Sequence, residues 1–151
     1  MKKYILFPLL LIFLLTGCQI SQTDYSKPYD YMSALNGRDY ESLSTPEKKL
    51  VYSIPEDIAK SLSTEALLET ILNNKYLIDL FAYDDFIMAV QSREVQFRII
   101  EFLEREDSIT VLESYISKYE KMVSENYSAD TNRQLRFMKK VLDNHNLILS
   151  Y

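Results

Sequence analysis

The chain has 151 residues, of which 47% are hydrophobic and 26% charged, with only two Gly and four Pro residues. This length predicts one compact domain, and this composition excludes collagen-like, glycine-rich and generally disordered chains. The 17 basic and 22 acidic side chains give a formal net charge of −5. Because nucleic-acid binding requires a basic face, we expect no nucleic-acid partner.

Residues 1–17 have the layout of a signal peptide. Two lysines precede an apolar run from Tyr4 to Leu15, and small residues follow it. A basic start, a short apolar run and a small-residue cleavage site are typical of secretory signals. The run is too short for a spanning helix, which needs about 20 apolar residues.

The end of this segment, Leu15-Thr16-Gly17-Cys18, resembles the lipobox of bacterial lipoproteins. In that family the cysteine thiol is alkylated with diacylglycerol, the signal is removed before the cysteine, and the new amine commonly receives an acyl chain such as palmitate. The resemblance implies a lipidated Cys18, anchored in the cell membrane or outer membrane and facing outside the cytoplasm. The alternative is a buried structural cysteine, or an ordinary cleaved signal followed by a cysteine.

Removal of residues 1–17 would leave 15 basic and 22 acidic groups, a net charge of −7. Anionic lipids would repel this charge, so the acyl chains on Cys18 must supply the membrane binding. Residues 18–43 are sparse in aliphatic side chains and predict a lipidated cysteine followed by a flexible tether. Four tyrosines in this segment have two interpretations, stacking on a sugar or peptide, or packing of the segment against the domain; they are Tyr25, Tyr29, Tyr31 and Tyr40.

Residues 44–151 are predicted to form an all-α domain. Between Glu56 and Tyr151 there is neither Pro nor Gly, and the apolar residues recur every three or four positions. We expect five to seven short helices in an orthogonal or HEAT-like arrangement. The expected helices cover 46–52, 55–61, a segment opened by Ser63, a short one at Tyr76–Phe81, Phe86–Val90, 93–104, one opened by Asp107 or Ser108, and one opened by Ser128 or Asp130.

Part of this domain, about residues 54–119, resembles a family of secreted or lipid-anchored bacterial proteins with a helical domain of unknown function. The resemblance lies in short motifs such as Ile54-Pro55-Glu56-Asp57-Ile58 and Ser63-Thr64-Glu65-Ala66-Leu67, followed later by Leu103, Arg105 and Asp107. The chain departs from the family at two places. Lys75 stands where the family has a proline, and the family's Phe-Asn-Gly stretch is replaced by other residues near Phe97. The resemblance implies an envelope location and no reaction.

The residues that usually hold cofactors or metals are scarce. Zinc favours Cys and His, and the chain has one of each, Cys18 and His145. Asp84-Asp85 is better explained as a helix cap than as a calcium loop. Phosphate loops need closely spaced glycines, and after residue 17 only Gly37 remains. We therefore expect no cofactor and no metal, and His145 is expected near the end of a surface helix.

Carboxylates are numerous enough that pairs occur by chance. Glu65 and Glu69 lie one helical turn apart, and with Asp79 they are candidates for acid–base chemistry or for a solvated acidic face. Arg98 and Arg105 are expected to pair with nearby acids such as Glu94, Glu101 and Glu104. The basic residues are not expected to gather into a patch.

The leading hypothesis is a non-enzymatic, lipid-anchored binding module whose partner is an envelope protein or the cell wall. An apolar and aromatic surface should serve binding, and the Tyr83–Phe86 corner and the tether tyrosines are its candidates. One alternative is a cell-wall glycan or peptide hydrolase, which would show two facing acids in a cleft, at least one with a raised pKa. Another alternative is an immunity or inhibitor protein.

Overall fold

The computed structural model describes residues 24–126 and 128–150, and this part of the chain is helical without β-strands. The predicted signal peptide, Cys18 and the first residues of the predicted tether lie outside the described residues. The α-helices are α1 (Thr45–Val51), α2 (Glu56–Ser61), α3 (Thr64–Leu72), α4 (Phe86–Ser92), α5 (Glu94–Phe97), α6 (Ile99–Leu103), α7 (Ser108–Glu125) and α8 (Ala129–Leu149). Three 3₁₀ helices cover Tyr31–Leu35, Tyr40–Ser42 and Leu77–Ala82.

The all-α class is confirmed, and several helix starts agree with their sequence signals. The Ser63 hydroxyl accepts a hydrogen bond from the Ala66 amide at 3.2 Å, which caps α3. The Asp85 carboxylate accepts bonds from the amides of Ile87 and Met88 at 2.9 and 3.1 Å, so Asp85 rather than Asp84 caps α4. No helix in the described part of the chain combines the length and apolarity needed to cross a membrane.

The helix expected over 93–104 is interrupted at Arg98. This residue has φ +52°, in the left-handed region that non-glycine residues rarely adopt, and it separates α5 from α6. Its guanidinium Nε donates to the Ile54 carbonyl oxygen at 3.0 Å, which helps to hold this conformation. The interruption divides one expected helix into two short ones, α5 and α6.

The two longest helices, α7 and α8, pack against each other, and α8 also contacts α4 and α6. Apolar side chains at helical spacing form their shared face, including Leu112 and Ile116 of α7 and Met138 and Val141 of α8. Phe137 of α8 reaches the Phe86 ring with 6.3 Å between the centroids. α3 and α6 also contact α7, so three of the short helices pack directly on the pair of long helices. One continuous apolar core joins the elements.

The described part of the predicted tether, residues 24–43, packs against the domain. The Ser63 amide donates to the Tyr25 carbonyl oxygen at 2.9 Å, and the Tyr29 amide donates to Thr70 Oγ1 at 2.9 Å. The Tyr31 ring is only 5% exposed, and its hydroxyl donates to the Thr70 carbonyl oxygen at 2.9 Å. Of the two interpretations of the tether tyrosines, packing against the domain is therefore confirmed for Tyr29 and Tyr31.

Candidate functional site: a lysine enclosed by tyrosines

Three tyrosine-bearing segments meet at the end of α3, and the side chain of Asn74 joins them. Asn74 is buried, and its amide nitrogen donates to the Tyr52 carbonyl oxygen at 2.7 Å and to the Tyr31 hydroxyl at 3.3 Å. Its amide oxygen accepts a bond from the Tyr76 backbone N–H at 3.0 Å. Because one buried amide satisfies all three partners, the segments around it are held in a fixed arrangement.

The arrangement encloses the ammonium group of Lys75. Its Nζ lies 4.2 Å from the ring centroid of Tyr40, 4.7 Å from that of Tyr52 and 5.2 Å from that of Tyr76. The ammonium also donates a hydrogen bond to the Tyr40 hydroxyl. These are cation–π distances to three rings at once. We call these four residues the Lys75 cage.

The three rings stand at steep angles to their neighbours. The Tyr52 and Tyr76 centroids are 5.5 Å apart at 85°, and those of Tyr40 and Tyr52 are 6.2 Å apart at 83°. Edge-to-face packing of this kind is a favoured geometry for aromatic pairs. All three tyrosines are half-buried and Lys75 is exposed, so the outer side of the cage is accessible to solvent.

Two lysines of α1 border the Lys75 cage. Lys48 Nζ is 5.1 Å from the Tyr40 ring centroid, and Lys49 Nζ is 6.0 Å from that of Tyr76. Lys48 forms an ion pair with the exposed Glu41 at 3.1 Å, whereas in the described part of the chain Lys49 and Lys75 form none. The expectation that basic residues do not gather is therefore wrong: three of them surround one aromatic cluster.

The electrostatics of the cage reflect this surplus of positive charge. Partial burial lowers the pKa of Lys75, but the hydrogen bond with Tyr40 and the surrounding tyrosines raise it above its usual value, so the ammonium is charged at neutral pH. Partial burial raises the pKa of Tyr40, but hydrogen bonds with Lys75 and Tyr76 and the charges of Lys75 and Lys48 lower it overall.

The Tyr83–Phe86 corner, the other aromatic candidate from the sequence, carries its own cation, Arg93. The Arg93 guanidinium Nε and Nη2 donate to the Tyr83 hydroxyl at 3.3 and 3.2 Å. This hydrogen bond and the charge of Arg93 lower the pKa of Tyr83, and the charge of Lys49 adds to the effect. Tyr83 is exposed, whereas Phe86 is buried in the core.

A separate cavity of about 230 Å³ lies between the Leu77–Ala82 3₁₀ helix and α8. Its apolar side is formed by Ile78 and Phe81, and its polar side includes Arg133 and Arg136. The Arg136 guanidinium lies 5.6 Å from the Phe81 ring centroid, and Arg133 pairs with Asp130 at 2.5 Å. The arginines are thus already engaged by groups of the protein.

The structure does not assemble the predicted carboxylate candidates into a cleft. Glu69 accepts a hydrogen bond from the Tyr115 hydroxyl at 2.7 Å, and Glu65 is exposed on the same helix. Asp79 lies in the 3₁₀ helix Leu77–Ala82. None of the three lines the cavity at Phe81.

Glu94 is the one carboxylate in the described residues with a raised pKa. Burial raises it, although backbone N–H groups of Ile100 and Glu101 donate to this carboxylate at 2.9 and 3.3 Å and lower it in part. These bonds satisfy the free amides at the start of α6, which is the function of a helix cap. Glu94 therefore has a structural role.

The two arginines expected to pair with acids bind backbone carbonyls instead. Arg98 donates to the Ile54 carbonyl oxygen, and Arg105 donates to those of Leu62 and Ala59 at 2.7 and 2.6 Å. No ion pair in the described part of the chain joins either arginine to Glu94, Glu101 or Glu104. The expected pairing is wrong, because each guanidinium instead bonds carbonyl groups at or beside the ends of α2.

The remaining candidates have ordinary structural positions. His145 lies near the end of α8, where its Nδ1 is 2.6 Å from the Leu142 carbonyl oxygen, in agreement with the expected position. Among the described residues, no three His, Cys, Asp or Glu side chains are grouped to hold a metal ion.

Comparison of the chain with models of protein families, with curated proteins and with solved structures finds no match. The site is therefore interpreted from its own geometry. No pattern in the sequence indicates the Lys75 cage, because Tyr40, Tyr52 and Lys75 are distant in the chain. A local hint was the spacing of Lys48 and Tyr52, which places both on one side of α1.

Proposed function

We propose that this protein is a lipid-anchored, non-enzymatic binding module of the cell envelope, and that the Lys75 cage with Lys48 and Lys49 is its binding surface. The observation that carries the proposal is the position of Lys75, whose ammonium is enclosed by three tyrosines and is not neutralised by a carboxylate. Tyrosine rings and uncompensated cations are residues through which proteins commonly bind partners.

The envelope location rests on the lipobox-like sequence ending at Cys18. Acyl chains on this residue would hold the module at the cell membrane or outer membrane, on the side away from the cytoplasm. The exposed part of the cage would then face the envelope. The expected resemblance of residues 54–119 to secreted and lipid-anchored proteins would imply the same location.

The test is purification of the natively acylated protein from its host after mild crosslinking, with mass spectrometry of protein partners and analysis of retained wall material. Lys75→Gln removes the charge and keeps an unbranched polar side chain. The matched control is Lys118→Gln, since Lys118 also lies over a tyrosine, with its Nζ 5.1 Å from the Tyr115 ring centroid.

We expect the wild type and Lys118→Gln to retain the same envelope component, and Lys75→Gln to lose most of it. Equal retention by all three proteins would show that binding uses another surface. Release of soluble wall fragments by the wild-type protein would support a hydrolase instead.

A further inference from the structure

We infer that the Lys75 cage binds an anionic glycan, a polymer of sugar rings that carry phosphate or carboxylate groups. This inference rests on the proposed function, since it names the ligand of the same surface.

The local charge selects a negative ligand. The chain as a whole has a net charge of −5 and repels anions at a distance. At the cage, by contrast, Lys49 and Lys75 are not paired with a carboxylate in the described residues, and Lys48 is paired only with the exposed Glu41. Three ammonium groups within one small area therefore offer charge-assisted hydrogen bonds to an acidic ligand.

The cage is unsuited to a cationic ligand. Aromatic enclosures bind ammonium compounds when they are empty, but here the Lys75 ammonium already lies among the three rings. A second cation would have to displace a tethered one and would meet Lys48 and Lys49 at the border. The positive charge around the cage and the presence of the Lys75 ammonium among its rings both disfavour the binding of a second cation.

Among anionic ligands, the tyrosine rings favour those that contain sugar rings. Tyrosine combines an apolar face with a hydroxyl group, which suits a ligand with C–H groups on one side and hydroxyls on its edge. Tyr40, Tyr52 and Tyr76 are half-buried at steep mutual angles, so they offer both edges and faces to solvent. An acidic peptide could satisfy the lysines, but a sugar ring would use the tyrosines as well.

The site is an open surface and fits a chain-like ligand. Lys75 is exposed and its three tyrosines are half-buried, so a ligand can approach them directly from solvent. A small molecule would remain largely solvated on such a surface, whereas a polymer gains contacts from successive units.

The test is titration of the full acylated protein, held in uncharged detergent, with oligomers of galacturonate as a carboxylate glycan and with a glycerol-phosphate glycan as a phosphate source. Uncharged maltose oligomers of equal length, polyglutamate and vesicles of phosphatidylglycerol serve as comparison probes. Tyrosine rings labelled with ¹³C report where each probe binds by nuclear magnetic resonance.

We expect one or both anionic glycans to shift the signals of Tyr40, Tyr52 and Tyr76, with affinity that falls as salt is added. Lys75→Gln and Lys49→Gln should each weaken binding by about five- to tenfold, and Lys118→Gln by less than about twofold. The relative response to the two glycans identifies carboxylate or phosphate as the preferred group.

Equal binding of maltose oligomers, or stronger binding of polyglutamate or of the vesicles, would overturn the glycan assignment, as would signals that move only outside the cage. If the native protein still retains an envelope component through Lys75 but neither glycan binds, the proposed binding function remains valid. In that case only the assignment of the ligand as an anionic glycan is wrong. If Lys75→Gln retains the envelope component as well as the wild type does and neither glycan binds, the Lys75 cage is not the binding surface.

Discussion

The side-chain amide of Asn74 donates a hydrogen bond to the carbonyl oxygen of Tyr52 at 2.7 Å, across 22 positions of the chain. This bond joins the end of α1 to the end of α3, the two places that carry most of the Lys75 cage. The same side chain bonds Tyr31 and Tyr76, so one buried residue ties the docked N-terminal segment to both helices.

Asn74→Ala should therefore lower the free energy of unfolding by about 2–4 kcal/mol, because it leaves the Tyr52 carbonyl and the Tyr76 backbone N–H without their partner. Urea denaturation followed by circular dichroism measures this change. Asn73→Ala is the matched control, since Asn73 is exposed, and it should cost less than about 0.5 kcal/mol. Similar losses from both substitutions would show that the network around Asn74 adds little stability.

Arg105→Lys should destabilise the protein by about 1–2 kcal/mol, even though the charge is kept. The guanidinium donates to the carbonyl oxygens of Leu62 and Ala59 at once, and an ammonium cannot reproduce this forked geometry. Thermal unfolding compared with that of Arg136→Lys, a substitution at an exposed arginine, measures the effect. An unchanged melting temperature for Arg105→Lys would mean that one of the two bonds is dispensable.

The pKa of Tyr40 should rise toward its ordinary value in Lys75→Gln. The hydrogen bond and the charge of Lys75 favour the ionised phenol, and the substitution weakens the first and removes the second. Titration of ¹³C-labelled tyrosine between about pH 8 and 12 follows the change. Tyr83 is an internal control, because its pKa is lowered mainly by Arg93 and should hardly move. A constant Tyr40 pKa would contradict the geometry of the cage.

Tyr31→Phe should make stability less dependent on alkaline pH. Burial raises the pKa of Tyr31, while in the unfolded chain the same group ionises near about pH 10. Above that pH the unfolded state loses a proton that the folded state keeps, so the free energy of unfolding falls as pH rises. Urea midpoints at neutral and alkaline pH should show a shallower decline for Tyr31→Phe than for the wild type.

Tyr31→Phe also removes the hydrogen bond to the Thr70 carbonyl oxygen, which should lower the free energy of unfolding by about 1–2 kcal/mol at neutral pH. Tyr25→Phe, at an exposed ring, is the control and should retain both the wild-type stability and the wild-type pH dependence. An unaltered alkaline slope in Tyr31→Phe would assign that dependence to the other tyrosines.

Cys18→Ala should move the protein from the membrane fraction to the soluble fraction of its host. Two or three acyl chains anchor a protein stably, and this substitution removes the thiol that would carry the first of them. Immunoblots of the separated fractions and labelling with an alkyne analogue of palmitate measure the outcome. Gln19→Ala keeps the thiol and should remain in membranes. A labelled Cys18→Ala protein would reject this residue as the attachment point.

Local signals in the sequence predicted most helices well. Ser63, Asp85 and the break after α7 each act through neighbours within a few positions, so their effect can be read without knowledge of the fold. The interruption at Arg98, which separates α5 from α6, could not be predicted from such local signals. Its left-handed conformation is associated with a bond to Ile54, 44 positions earlier in the chain.

The candidate site was predicted only in part. The sequence pointed to the tyrosines before Glu41 as binding or packing residues, and the structure divides them: Tyr29 and Tyr31 pack, and Tyr40 joins the cage. The lysines were missed because Lys48 lies in α1 and Lys75 in the turn after α3, two segments that Asn74 holds together. A cluster formed by tertiary packing leaves no periodic pattern in the chain.

The bond from Ser63 to Tyr25 sets an upper limit on how far the domain can stand from its proposed anchor. Only six residues separate Cys18 from Tyr25, and even a fully extended chain of that length spans at most about 25 Å. With acyl chains on Cys18, the start of α3 would be confined to a thin layer beside the lipid headgroups. An acylated protein of this kind would stay close to the bilayer, so the proposed glycan would have to extend toward the membrane to meet it.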